Sequence, residues 1–477
     1  MFYLRLVVVF LCLLIFPLQS AWAGIVWEQT GGPYGGYGRS IAISKTDPNI
    51  IFLGTIGAGI YKSVDGGHTW VRKVSGIDNP SFTVFNIEID PTSSDIVYAC
   101  PNTTGLYKST DGGESWQLVG SGITDGSLTA IAVDPRDTSD VYVINPSEGI
   151  LKSINGGVSF TPLTYPSGGD TPTCLEIVAA DGHSAIYLGT LNTGVYKSIN
   201  EGASWVKISQ NDSRLNSSKI WAIAPAPSSP ESWVYVGASD TQRYCKKTTD
   251  GGGTWETMSF GSNNYVEADI REIKVTEASP EVAYLVTSGA GFYKTAYSGG
   301  KWKWLPKSVN PKEDVFWSVG IHPTNESTVY CSSTGRAFYI STDEANSFEF
   351  SNEGIKNVRI TSLLAVPSSE GTIIIAGTYP LGTFRSGDLG NTWEQCVEGM
   401  AYGEDAVYCL AQVPATPIVF AGASDGVYKS SNYGVTWEAL TLSVQSVRDI
   451  KVDPISSEVI YASSFGGSKF YRSLDSG

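Results

Sequence analysis

Acidic and amide side chains recur at one fixed place along this 477-residue chain. Each stands third in an eight-residue string, Ser/Thr-x-Asp/Asn-x-Gly-x-Ser/Thr-Trp/Phe, repeated about every 45 residues, a period that marks a repeat architecture. Clean copies occupy 63–70, 109–116, 153–160, 198–205, 248–255, 386–393 and 430–437. Two copies are worn: Tyr297 replaces the acid in 295–302, and Ala345 replaces the glycine in 341–348. A tenth begins at Ser473. A lone aspartate can move a proton or hold a cation, but identical residues at ten equivalent outer positions cannot all be catalytic. Asp65, Asp111, Asn155, Asn200, Asp250, Asp343, Asp388, Asn432 and Asp475 are therefore expected to be structural. Each offers an acceptor to the N–H groups of a turn, glycine supplies a positive φ, and the aromatic folds back to fill the gap to the next blade.

A second set stands just before the apolar run that opens each repeat. Arg39, Arg271 and Arg448 share that position in repeats one, six and ten, and Trp221, Arg271 and Trp317 share it in three consecutive repeats. A guanidinium between two indoles on neighbouring blades makes a flat stacking surface, suited to a sugar or an extended peptide. Tyr265, Glu267 and Asp269 lie in a long loop beside it, as do Phe316 and Glu313. The expected ligand-binding set is Trp221, Arg271, Trp317, Tyr265, Glu267 and Asp269. Within the apolar runs one position is usually small (Ala42, Ala132, Ala224, Gly320, Ala365), and Glu88, Glu176, Lys274 and Lys451 break the rule. These four are expected to form ion pairs within or beside a central channel, or to face trapped water.

The elements that must position these residues are strands. Each repeat reads as an inner apolar strand, a β-branched and aromatic second strand (IIFLGT, DIVYAC, AIYLGT), a third (GIYKS, GVYKS) running into the signature, and a fourth after the tryptophan. No segment sustains a helical period, so the fold class is all-β. The segment 24–29, GIVWEQ, reads like a fourth strand, and the signature at Ser473 lacks one. The expectation is a closed ten-bladed β-propeller, residues 24–477 as a single domain, in which the N-terminal strand with Trp27 completes the last blade.

These motifs resemble the Asp-box (BNR, sialidase-type) repeat propellers, and the resemblance covers 24–477. In blade number the chain is most similar to the sortilin-type ten-bladed propeller. The resemblance implies a ligand-binding propeller; the cysteine-rich module and membrane span of those receptors are absent from this sequence. Two enzyme families share the repeat. Xyloglucanases place a catalytic acid in a Thr-Asp-x-Gly-Gly turn, where this chain has Thr55-Ile56-Gly57-Ala58-Gly59; Asp425 alone puts a carboxylate at a matching turn, and the two-acid mechanism needs a partner. Sialidases grip a carboxylate with three arginines. In a ten-bladed ring Arg271 lies across from Arg39 and Arg448, too far to share one.

Residues 1–23 read as a signal peptide: Arg5, an apolar run over 6–16, and Ala21-Trp22-Ala23 before the cleavage point. The expectation is a secreted or periplasmic monomer without stable membrane insertion. Removing Arg5 takes the formal charge from −15 to −16, which argues against nucleic acid as partner. The cysteines fit an oxidising compartment, with Cys396 and Cys409 near enough in sequence for a local disulfide. His68, His183 and His322 are scattered, so neither metal nor cofactor is expected. The function expected is binding of a protein, peptide or glycan, without catalysis; the competing reading is a glycoside hydrolase using loop carboxylates at the ring mouth.

Overall fold

A computed structural model describes residues 36–475, apart from 79–81, 102–104, 166–169, 299–300, 308–314, 335, 355, 357, 370, 380, 401–405, 443–445 and 466–468. The described residues are all-β, with one 3-10 turn at Leu215–Ser217. Ten antiparallel units follow in chain order, nine of four strands and the tenth, 447–473, of three. We number them blades 1 to 10. Blades 5 and 6 are further joined by parallel pairing of Glu256–Phe260 with Lys301–Lys307. The second strand of most blades, such as Ile51–Thr55 or Val97–Pro101, is buried along its whole length, and this is why it carries β-branched and aromatic residues on both faces.

The recurrent string is the turn between the third and fourth strands. In blade 2 the Asp111 carboxylate accepts from the Ser109 hydroxyl at 2.7 Å, the Ser115 N–H at 2.9 Å and the Ser115 hydroxyl at 2.5 Å. Asp65, Asp250, Asp343 and Asp388 repeat the pattern, and Asn155, Asn200 and Asn432 keep the backbone bond. Asp475 accepts from Ser473 at 2.7 Å. The worn copy with Ala345 keeps the turn by forcing that alanine to φ 63°, whereas in the copy with Tyr297 the two strands pair straight on to Ser298↔Lys301. The hydroxyl and N–H of Ser115, with the Ser109 hydroxyl, hold the Asp111 carboxyl down at about 2.

The aromatics that end the turns at Trp70, Trp116, Trp255 and Trp437 seat on the preceding blade, not on the next one as expected. Trp116 of blade 2 donates its indole N–H to Lys73 O of blade 1 (3.1 Å), Trp255 of blade 5 to Ile208 O after blade 4 (3.1 Å), and Trp437 of blade 9 to Cys396 O after blade 8 (3.0 Å). Trp70 of blade 1 shows which blade precedes it in space. Its indole donates to Ser351 O at 2.9 Å and its backbone N–H to Glu353 O at 2.8 Å, both just past blade 7. A Cβ on Gly354 would collide with the Trp70 carbonyl, so glycine is required at this seam. Trp70 also meets Phe338 edge-on at 4.7 Å.

Blades 1 to 7 therefore close on themselves, and the ten-bladed ring is not formed. Apolar clusters fill every seam in turn: blades 1–2, 2–3, 3–4, 4–5, 5–6, 6–7 and finally 7–1, where Leu53, Tyr61 and Trp70 pack on Tyr330, Phe338 and Ile340. Both faces of blade 1 are occupied, which leaves no place for blade 10. Blades 8 to 10 form a separate row with seams 8–9 and 9–10. The first turn aromatic of that row, Trp393, donates within its own turn to Gly390 O. The row touches the ring where the Tyr37 hydroxyl reaches Tyr379 O at 3.5 Å. The expected strand at Trp27 and the expected signal peptide lie outside the described residues. Cys396 and Cys409 carry free thiols, correcting the expected disulfide. Cys396 follows the outermost strand of blade 8, whereas Cys409 lies on the innermost strand of blade 9 with its thiol toward Val447 O.

Two outcomes follow from the turns and the seam. Trp70→Ala removes a buried indole that closes the ring and should cost about 3–5 kcal/mol in denaturant unfolding, while Trp393→Ala should cost clearly less; equal costs would contradict closure at blade 7. Asp111→Ala should lower the melting temperature at pH 7. Because the folded carboxyl titrates near 2 and the unfolded one near 3.8, the gap to the parent protein should shrink as pH falls through that window.

Candidate ligand site at the ring mouth

The inner strands carry a shared irregularity. Their pairing with the second strand slips by one residue near the start, between Gly38 and Ser40 in blade 1, Val84 and Asn86 in blade 2, Ile220 and Ala222 in blade 5, Ile270 and Glu272 in blade 6, and Phe316 and Ser318 in blade 7. The extra residues are Arg39, Phe85, Trp221, Arg271 and Trp317. A β-bulge re-aims its side chain away from the regular ladder, and here the re-aimed residues meet at one end of the channel. Gly54 lies opposite the blade 1 bulge, where a Cβ would strike the Ser40 hydroxyl; this accounts for the glycine of the Leu-Gly-Thr strand.

Around the seven-bladed ring these residues form a continuous arc. The Arg39 guanidinium lies between Phe85 (4.3 Å to the ring centre) and Trp317 (4.2 Å). The Arg271 guanidinium lies over Trp317 (4.5 Å) and Trp221 (5.5 Å), and Lys219 caps Trp221 at 3.6 Å. The indole N–H groups are anchored within their own blades, Trp221 to Ser239 Oγ at 2.9 Å and Trp317 to Thr334 Oγ1 at 2.7 Å. All five bulge side chains are half-buried. Burial, reinforced by repulsion from Arg271, lowers the Arg39 pKa to about 10, and burial lowers that of Arg271 against the pull of Asp269.

The structure thus brings Trp221, Arg271 and Trp317 together, with Asp269 beside them at 3.8 Å from Arg271. Asp269 is held more closely by Arg243, at 2.9 Å. Tyr265 and Glu267 sit exposed on the same loop, Glu267 acting on Tyr293 of blade 6. Neither contacts the arc among the described residues. Arg39 and Arg271 are not across the ring from each other: only blade 7 separates them, and they take the two sides of Trp317. Arg448 is in the separate row, over Tyr408 at 3.7 Å. Phe85 and Lys219 were not anticipated. Phe85-Asn86-Ile87 occupies the register of Arg39-Ser40-Ile41, but a ten-bladed count places blade 2 far from blades 5 to 7.

Below the mouth runs the channel, a cavity of about 380 Å³ lined by the inner strands of all seven ring blades. Glu88, Glu176 and Lys274 meet there as expected; Lys451, in blade 10, pairs instead with Asp449 at 3.0 Å. Lys274 reaches Glu176 of blade 4 at 2.9 Å and Glu272 at 3.3 Å, a pairing that bridges across blade 5. Burial pushes the Glu88 carboxyl up to about 7, with Lys274 opposing the rise and Glu176 adding to it. Burial works against the Lys274 charge, yet Glu176 and Glu272 hold its ammonium above the usual lysine range. Among the described residues no three His, Cys, Asp or Glu side chains are placed to share a metal ion, and no helix is long and apolar enough to cross a membrane.

No family model matches this chain. Among curated proteins it is similar to xyloglucanase Xgh74A of Acetivibrio thermocellus, 27% identical over 162 residues, covering 27% of this chain and 19% of the enzyme. The matched region thus spans about a fifth of that relative's length. Among solved structures it resembles an ancestral GH74 enzyme (16% identity, TM-score 0.50, 94% of this chain and 76% of that one). It also resembles YCF48 from Cyanidioschyzon merolae (15% identity, TM-score 0.50), over 66% of this chain and 98% of that protein. These likenesses show a β-propeller fold. The second covers a share of this chain close to that occupied by blades 1 to 7.

The channel charges generate a pH dependence. A carboxyl whose folded pKa is raised from 4.5 to about 7 favours the folded state while protonated, so its contribution is lost as pH rises through that range. The melting temperature of Glu88→Gln relative to the parent should therefore rise between pH 4.5 and 7 and level off above it; a difference constant across that range would refute the assignment.

Proposed function

We propose that the chain is an exported propeller that binds a glycan at the mouth of the seven-bladed ring and does not cleave it. The observation that carries the reading is the arc itself: five bulge residues, alternately aromatic and cationic, gathered from five adjacent blades onto one half-buried rim. Surface polar groups in a propeller ordinarily serve their own turns, as the signature aspartates do. The stacks of the arc link blade 1 to blades 2 and 7 and blade 6 to blades 5 and 7, and half-buried aromatic and arginine side chains grouped in this way are the composition of binding hot spots. The similarity to a xyloglucanase supports a glycan over a peptide or protein.

That same similarity favours a second reading, a glycoside hydrolase. Against it stands the residue at the matching turn, Ile56, which cannot transfer a proton. Asp425, the carboxylate at the equivalent turn of blade 9, lies in the separate row and accepts from the Tyr428 hydroxyl at 2.5 Å. The two-carboxylate geometry of glycoside hydrolysis needs a pair of facing acids, and among the described residues the carboxylate beside the arc, Asp269, is ion-paired to Arg243 and Arg271.

A glycan and peptide array with the protein lacking residues 1–23 tests the reading. Glycans should bind, and Trp317→Ala should weaken binding about tenfold or more, the effect of removing a hot-spot indole. Release of reducing ends from xyloglucan would establish the hydrolase instead; binding confined to peptides, or unaffected by Trp317→Ala, would overturn the glycan site.

A further inference from the structure

The arc is built to hold arginines more than to stack sugars. Trp317 stands between blades 1 and 6, and a guanidinium from each covers it, at 4.2 and 4.5 Å. Trp221 is likewise shared by Lys219 and Arg271. Aromatic faces already occupied cannot form the floor of a sugar subsite. A guanidinium laid flat on an aromatic ring keeps its N–H groups in its own plane, directed away from the stack, which is the orientation that forks onto a carboxylate.

One donor of each guanidinium lacks a protein acceptor among the described residues. Arg39 Nε and Arg271 Nε are both buried without a hydrogen-bond partner, and a buried unpaired donor is costly in a folded protein. Charge is equally unbalanced. Arg271 and Arg243 share one carboxylate, Asp269, whose closer ion pair goes to Arg243 at 2.9 Å rather than to Arg271 at 3.8 Å, and Arg39 has no ion pair among the described residues. The protein as a whole is acidic, with a formal charge of −15, so a cationic mouth runs against its composition. Nothing in the fold requires it: blades 3 and 4 close equally well, and in blade 4 the equivalent bulge residue is Thr173, which donates to the backbone of Ile220 at 2.5 Å.

We infer that the ring mouth reads the carboxylate of an acidic glycan, a uronate residue, through the paired guanidinium groups of Arg39 and Arg271, with Trp317, Trp221 and Phe85 fixing the two forks rather than stacking the sugar. The inference rests on the glycan reading for its ligand class and adds the charge and the residues that recognise it. Asp269 limits the site from one side by holding Arg243 away from the pair.

Isothermal titration at low salt with tetragalacturonate, its methyl ester, a neutral xyloglucan oligosaccharide and an oligo-aspartate peptide tests it. Tetragalacturonate should bind at least about tenfold tighter than its ester, and its affinity should fall as salt is raised. Arg39→Gln and Arg271→Gln should each lose about tenfold or more, and Arg271→Lys, which keeps the charge but not the fork, should also lose affinity. Arg448→Gln, which alters the like-placed arginine of the separate row, should bind as the parent does. Melting curves of the variants separate lost recognition from lost folding. Equal binding of acid and ester, or tight binding of the neutral oligosaccharide alone, would overturn the carboxylate inference while leaving the glycan reading intact. Binding of the peptide with no glycan bound would overturn both.

Discussion

The packing of these blades turns on one kind of contact, a turn aromatic seated on the blade before it, with Trp70, Trp116, Trp255 and Trp437 donating an indole N–H to a carbonyl there. In most blades the sheet buries its second strand completely and has two apolar faces, so it is stable only between neighbours. The tryptophan fixes which neighbour, at what distance and in what register. Trp70 applies the rule across the longest interval in the chain, from blade 1 to the residues after blade 7, and so turns a row of sheets into a ring.

Ring size then determines what the mouth can do. The bulges that expose Arg39, Phe85, Trp221, Arg271 and Trp317 are local features of single strands, and each would form in a ring of any size. Their meeting is not local. With seven blades, the first and sixth are separated by one sheet, and two arginines more than two hundred residues apart share a single indole. The carboxylate and lysine side chains of the channel follow the same logic: Lys274 reaches Glu176 across blade 5 because the bore is narrow.

Much of this was legible in the sequence. The strands, the turns, the structural role of Asp111 and its equivalents, and the common register of Trp221, Arg271 and Trp317 all follow from residues within one repeat. What the repeats do not encode is where they stop joining. The string ending in Trp70 looks like the one ending in Trp116, although one seats on a neighbour in sequence and the other on a blade nearly three hundred residues away. Counting signatures gives ten units and an attractive closure through the N-terminal strand, and it separates Arg39 from Arg271. The same error hid Phe85. The pairing of Cys396 with Cys409 failed for a related reason, since short sequence separation here joins the outer edge of one blade to the inner edge of the next.

The seam between blades 1 and 7 carries the whole account, and a cross-link measures it directly. Thr69 and Glu353 stand opposite each other in a parallel bridge at that seam. With cysteine at both positions, mild oxidation of the folded protein should join the peptides containing residues 69 and 353, as read by non-reducing digestion and mass spectrometry. Absence of that linkage, with cysteine 69 instead joining a cysteine placed in blade 10, would show that the ring closes elsewhere and that Arg39 and Arg271 do not share a site.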